Sequence, residues 1–112
     1  NIDLYTPLVQ VTNYCRKYAF PLKSANRFQL VVEELLTCLQ SIGGDGEMNL
    51  TVAYEDTTGK KEIILREKVC KGNILDAEQM DELSLMLIKN CASDIKYCVE
   101  NGYNVLTIEI KE

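Results

Sequence analysis

Hydrophobic and polar positions along this chain follow two periods, one helical and one of strands. Leu8, Val11, Cys15 and Tyr18 recur at helical spacing and make one apolar face. Thr6-Pro7 offers a hydroxyl cap and a proline for the first helical position, and Pro21 is expected to end that helix. A second helix is expected from a Ser24 cap to Ile42, where Gly43-Gly44-Asp45-Gly46 breaks it. Its apolar face is Phe28, Val31, Val32, Leu35, Leu39 and Ile42. Glu33 points to the polar side with Thr37 and Gln40, whereas Glu34 lies on the margin of the apolar face beside Cys38 and Ser41.

The period then changes to two. Met48, Leu50, Val52 and Tyr54 alternate with polar or small residues, and Glu62–Arg66 contains Ile63-Ile64-Leu65; Asp56–Gly59 reads as the hairpin loop between these strands. Lys68–Leu75 has no period and reads as an irregular loop. Asp76 is expected to cap a third helix, with Gln79 placed for a capping box and an apolar face of Met80, Leu83, Leu87 and Cys91. Ile95, Tyr97 and Val99, an Asn101-Gly102 turn, and Leu106, Ile108 and Ile110 form a closing hairpin. Asn1–Tyr5, with Ile2 and Leu4 on one face, suggests a further edge strand. The pattern predicts a two-layer α/β sandwich, a mostly antiparallel sheet of about five strands with three helices on one face. The core is expected to include Leu8, Val11, Val31, Leu35, Leu39, Val52, Ile64, Leu87, Leu106 and Ile108.

Composition narrows the function classes. The chain has 112 residues, enough for a single domain spanning 1–112. It opens at Asn1 without an initiator Met and is read as a domain of a longer protein or a processed product. No apolar run approaches the length of a membrane span. The net charge is −5, with residues 1–42 at +1 and residues 43–112 at −6. Neither nucleic acid nor an anionic membrane surface suits such a chain. There is no His, which excludes Cys/His zinc sites and imidazole-based triads, so no metal site is expected. Five cysteines without C-x-x-C spacing argue for free thiols in a reducing, cytoplasmic setting.

Glu34 carries the chemical question. A carboxylate on a core margin snorkels to solvent or else needs a partner, a ligand or a proton. The stretch Phe28-Gln29-Leu30-Val31-Val32-Glu33-Glu34-Leu35-Leu36-Thr37-Cys38 resembles the E-x-x-x-N helix of the histidine-kinase-like ATPase (GHKL, or Bergerat) domains, in their anti-sigma-factor, serine-kinase-like branch. Ile63–Glu67 with Asn73-Ile74-Leu75 is similar to that family's D-x-G-x-x-x-N-P-L strand and loop. Leu83–Ile88, Asp94, Tyr97 and Asn101–Thr107 are similar to its G-L-G-L helix and closing hairpin.

The resemblance implies a Bergerat-like fold and a nucleotide pocket lined by Glu34, Cys38, Glu67, Val69, Asn73, Glu82 and Ser84. It also implies how far that pocket has changed. Glu34 keeps the position of the water-orienting carboxylate. Cys38 stands at the magnesium-binding Asn, where a thiol suits a hard cation poorly. Glu67 stands at the adenine-reading Asp, one methylene longer. Val69 replaces a loop glycine, and Glu82-Leu83-Ser84-Leu85 puts an acid where phosphates would meet a helix start.

The expected function is a regulatory or protein-interaction module that has lost ATP binding and needs no cofactor. Its partner would be another protein, the rest of a host chain, or a second copy. The alternative is an ATP-dependent protein-serine kinase or nucleotide switch using magnesium-ATP in an atypical site. Arg16, Lys17, Lys23 and Arg27 concentrate the basic charge and are the expected docking surface.

Overall fold

A computed structural model describes residues 5–43 and 46–112. Its elements in chain order are α1 (Tyr5–Lys17), α2 (Leu22–Ile42), β1 (Met48–Glu55), β2 (Lys60–Glu67), a 3-10 turn (Ile74–Asp76), α3 (Glu82–Cys91), β3 (Ala92–Glu100) and β4 (Tyr103–Ile110). The four described strands form one antiparallel sheet in the order β1-β2-β4-β3. The helices cover one face, giving the two-layer α/β sandwich. Residues 1–4 of the expected first strand lie outside the described residues, as do Gly44 and Asp45; Tyr5 is already helical.

Cross-strand register fixes which side chains face the helices. Ile63 pairs with Ile108 and Leu65 with Leu106, and all four are buried. Ile64 pairs with Thr51 and Thr107 on the open face and is only half-buried, so it is not a core residue. Val11, Val31, Leu35 and Leu39 complete the expected core, with Leu8 and Val52 packed at its margin.

Four helix boundaries differ from the sequence reading. α1 already includes Tyr5, so Thr6 lies within the helix rather than capping it, and three further ends shift. α1 stops at Lys17, before Pro21, because Ala19 turns left-handed at φ 51°. Ala19 N donates to Arg16 O (3.1 Å) and Phe20 N to Cys15 O (3.0 Å), the paired bonds of a Schellman end. A Cβ in this conformation is strained where glycine is not. Ala19→Gly should therefore raise stability by about 0.5–1 kcal/mol; an unchanged or lower urea midpoint would reject this account.

Pro21, not Ser24, precedes the first turn of α2, and it makes no side-chain cap. Ser24 is instead fully buried in that helix, and its hydroxyl has no partner among the described residues. Asp76 and Gln79 do not cap α3. The chain takes a 3-10 turn there, and α3 starts later with Asp81 as its cap, the Asp81 carboxylate accepting from Leu83 N at 3.2 Å. α3 accordingly buries Ile88 and Cys91, with Leu85 packed against the core; Leu83 is exposed and Leu87 half-buried.

Candidate functional site

Two polar clusters gather the residues singled out by sequence. The first joins α2 to α3. Glu34 is half-buried, and its carboxylate accepts from Ser84 Oγ at 2.5 Å. The wheel places Glu34 on the margin of the core, and the first turns of α3 supply the partner that such a carboxylate needs.

The second cluster closes the end of β2. Glu67 has inward parity with Lys61, Ile63 and Leu65, and it is buried at 1% exposure. Its Oε1 accepts from Val69 N at 2.7 Å and from Cys70 N at 2.8 Å, folding the loop back over the strand end. The Cys70 thiol lies beside the same carboxylate, whose charge disfavours the thiolate. Asn104, the cross-strand partner of Glu67, donates from Nδ2 to Cys70 O at 2.9 Å and accepts from Tyr97 Oη at 2.6 Å. Cys38, one helical turn beyond Glu34, is buried and lies close enough to Cys70 to disfavour its thiolate.

Of the remaining residues, Val69 and Asn73 serve the loop itself, and Glu82 does not. Val69 is half-buried and contributes its N–H to Glu67. Asn73 Oδ1 accepts from Leu75 N at 3.0 Å and starts the 3-10 turn. Glu82 is exposed in the first turn of α3. A groove of about 620 Å³ runs beside Ile42, Val69, Cys70, Asn73 and Asp76. Gly46 touches this loop from the other side, where a Cβ would fall 2.7 Å from Lys68 O. Sequence reasoning gives Tyr97 and Asn104 a place in the closing hairpin but no role in the site, and gives Cys70 none either. Asn104 was findable, because it is a polar residue on the apolar parity of Leu106, Ile108 and Ile110.

Burial and the Glu67 carboxylate push the Cys70 thiol up to about 12, with the nearby Cys38 acting in the same direction. Burial also raises Cys15, Cys38 and Cys91. These thiols stay protonated and are poor nucleophiles. An unfolded thiol releases its proton near pH 8.5, whereas folded Cys70 holds its proton to about 12. The folded state therefore binds more protons across that window, and stability must fall as pH rises through it. Melting temperature should decline above about pH 9, and Cys70→Ala should flatten the decline. Identical slopes for the two proteins would refute the assignment.

Among the described residues no group of three or more Cys, Asp or Glu is placed to hold a metal ion, and no helix is long and apolar enough to cross a membrane. No family model matches the chain, and no curated protein matches it in sequence.

Proposed function

We propose that this domain is a regulatory, protein-binding module of the anti-sigma, histidine-kinase-like type that no longer uses ATP, acting in the cytoplasm on a partner protein or on the rest of a host chain. One observation carries the reading. The polar groups that the resemblance would assign to a nucleotide are engaged by the chain's own atoms: Glu67 by Val69 N and Cys70 N, Glu34 by Ser84, and Asn73 by Leu75 N. The α3 start is likewise capped by Asp81, with Glu82 beside it, so a phosphate would meet two acids rather than free N–H groups. A two-layer sandwich of this kind hosts many activities, and it is the site, not the fold, that distinguishes them.

The expected docking surface is smaller than its sequence suggests. Arg16, Lys17 and Lys23 are exposed, but Arg27 is half-buried and donates to the carbonyl oxygens of Lys111 and Glu112, tying α2 to the C-terminal strand end.

Calorimetry and thermal shift with magnesium-ATP and magnesium-ADP to millimolar levels test the proposal. No saturating signal is expected. A nucleotide present at a hundred times its Kd would add about 2.7 kcal/mol, raising the melting temperature by about 10 °C. Such a rise would make the domain a nucleotide switch or serine kinase instead.

A further inference from the structure

We infer that the free edge of β3 pairs with the same edge of a second copy, joining two four-stranded sheets into one continuous sheet about a two-fold axis at Cys98. Among the described residues both outer strands of the sheet have an open edge, but their helix-facing sides differ. The β1 side chains Met48, Leu50 and Val52 pack against the core and share a groove with Val11 and Tyr14 of α1. On β3 the helix-facing Val99 is 64% exposed and Tyr97 36%, while Leu83 and Met86 of the adjoining α3 are 56% and 51% exposed. This apolar margin runs along an unpaired strand edge, which is the template for strand addition.

The hairpin geometry dictates which backbone groups are free. Asn101 and Gly102 both have positive φ, 53° and 81°, in the two-residue turn that makes Glu100 and Tyr103 the hydrogen-bonded closing pair. Alternation then aims the amide groups of Glu100, Cys98 and Lys96 at β4 and those of Val99, Tyr97 and Ile95 outward. An antiparallel pairing of two β3 edges that keeps both helix layers on one side must centre its axis on a residue.

A dyad on Ile95 sets Lys96 against Asp94, which it already meets within its own strand at 3.8 Å. It leaves Tyr97 opposite Ser93 and Val99 opposite the end of α3. Among the centres nearer the apolar margin, charge selects. A dyad on Lys96 sets Lys96 against Lys96. A dyad on Tyr97 sets Asp94 against Glu100. A dyad on Cys98 sets Lys96 against Glu100 twice, Tyr97 against Val99 twice on the apolar side, and Cys98 against itself. Glu100 already holds Arg66 of its own chain at 3.3 Å on the open face, so each Glu100 would stand between two cations. Opposite charges directly across a pair stabilise it, and like charges oppose it. Cys98 N–H points to β4, so the self-pair is of the non-hydrogen-bonded kind with Cα atoms about 4.5 Å apart, within the span of a disulfide. Cys98 is exposed.

This pairing does not depend on the fate of the nucleotide pocket. Sedimentation of the reduced native chain should give twice the monomer mass at micromolar concentration. Lys96→Glu alone, or Glu100→Lys alone, places like charges at both contacts and should weaken self-association about tenfold or more. Mixing the two variants restores opposite charges at both contacts and should restore a heterodimer. Diamide should link the native dimer through Cys98, each pair of thiols giving two electrons and two protons to the reagent, and Cys98→Ser should abolish the link. Circular dichroism reports that the variants fold. A monomeric native chain, a dimer indifferent to both charge changes, a mixture that stays monomeric, or a dimer whose cross-link survives Cys98→Ser would each overturn the inference.

Discussion

Glu67→Ala should cost about 3 kcal/mol of folding stability, whereas Glu67→Gln should cost about 1 kcal/mol. Alanine removes the acceptor shared by Val69 N and Cys70 N, 2.7 and 2.8 Å from Oε1. A buried N–H left without an acceptor costs about 1–3 kcal/mol, and water reaches half-buried Val69 and Cys70 well enough to hold the total near the lower end of their sum. Glutamine keeps a carbonyl oxygen in the same place and loses only the charge-assisted part of the bonds. Glutamine also removes the carboxylate beside Cys70, so the thiol should titrate closer to its ordinary value, although burial still raises it. Urea denaturation measures the first effect and pH-dependent thiol alkylation the second. An alanine variant within 0.5 kcal/mol of native, or amide exchange at Val69 and Cys70 no faster than before, would show that the carboxylate does not hold the loop.

Phe28→Ala should be comparably damaging, at about 3–5 kcal/mol, with Phe28→Leu costing less than half of that. Phe28 is fully buried, and its ring stacks on Phe20 with centroids 5.4 Å apart. Phe20 in turn meets Tyr14 at 6.0 Å and Tyr54 at 4.9 Å, edge-on in both cases. The same cluster shelters Lys61, which is 5% exposed. Its ammonium lies 5.2 Å from the Phe20 ring centroid and 5.7 Å from that of Tyr54, and it donates to Gly59 O at 3.0 Å. Removing the Phe28 ring opens a cavity beneath Phe20 and loosens the ring that faces a sequestered cation, so the near-UV signal of the surrounding tyrosines should collapse with stability. Retained near-UV dichroism together with a loss under 1 kcal/mol would contradict this picture.

These two residues show different degrees of legibility. Phe28 is explicit in the helical period, because one apolar face recurs from it to Ile42. Glu67 was selected by resemblance to a base-reading acid, and the chain shows its carboxylate turned back on its own loop. That turn is invisible in sequence, since it depends on where residues 68–70 cross the sheet. Glu34 falls between the two cases: its marginal position is legible, but Ser84 lies fifty residues away and reaches it only after α3 docks on α2.

Local sequence alone dictates the two long helices, the four described strands, the hairpin at Asn101-Gly102 and the helical face carrying Val31, Leu35 and Leu39. Those follow from local period and from turn residues whose backbone preferences need no distant partner. Long-range packing sets the choice of Ile63 over Ile64, the rotation of α3 toward Ile88 rather than Leu87, and the shift of its cap from Asp76 to Asp81. In Ile63-Ile64-Leu65, and again along α3, apolar residues occupy nearly every side, so the local pattern leaves two faces equivalent. Pairing with Leu106 and Ile108, and packing of α3 against α2, break that tie.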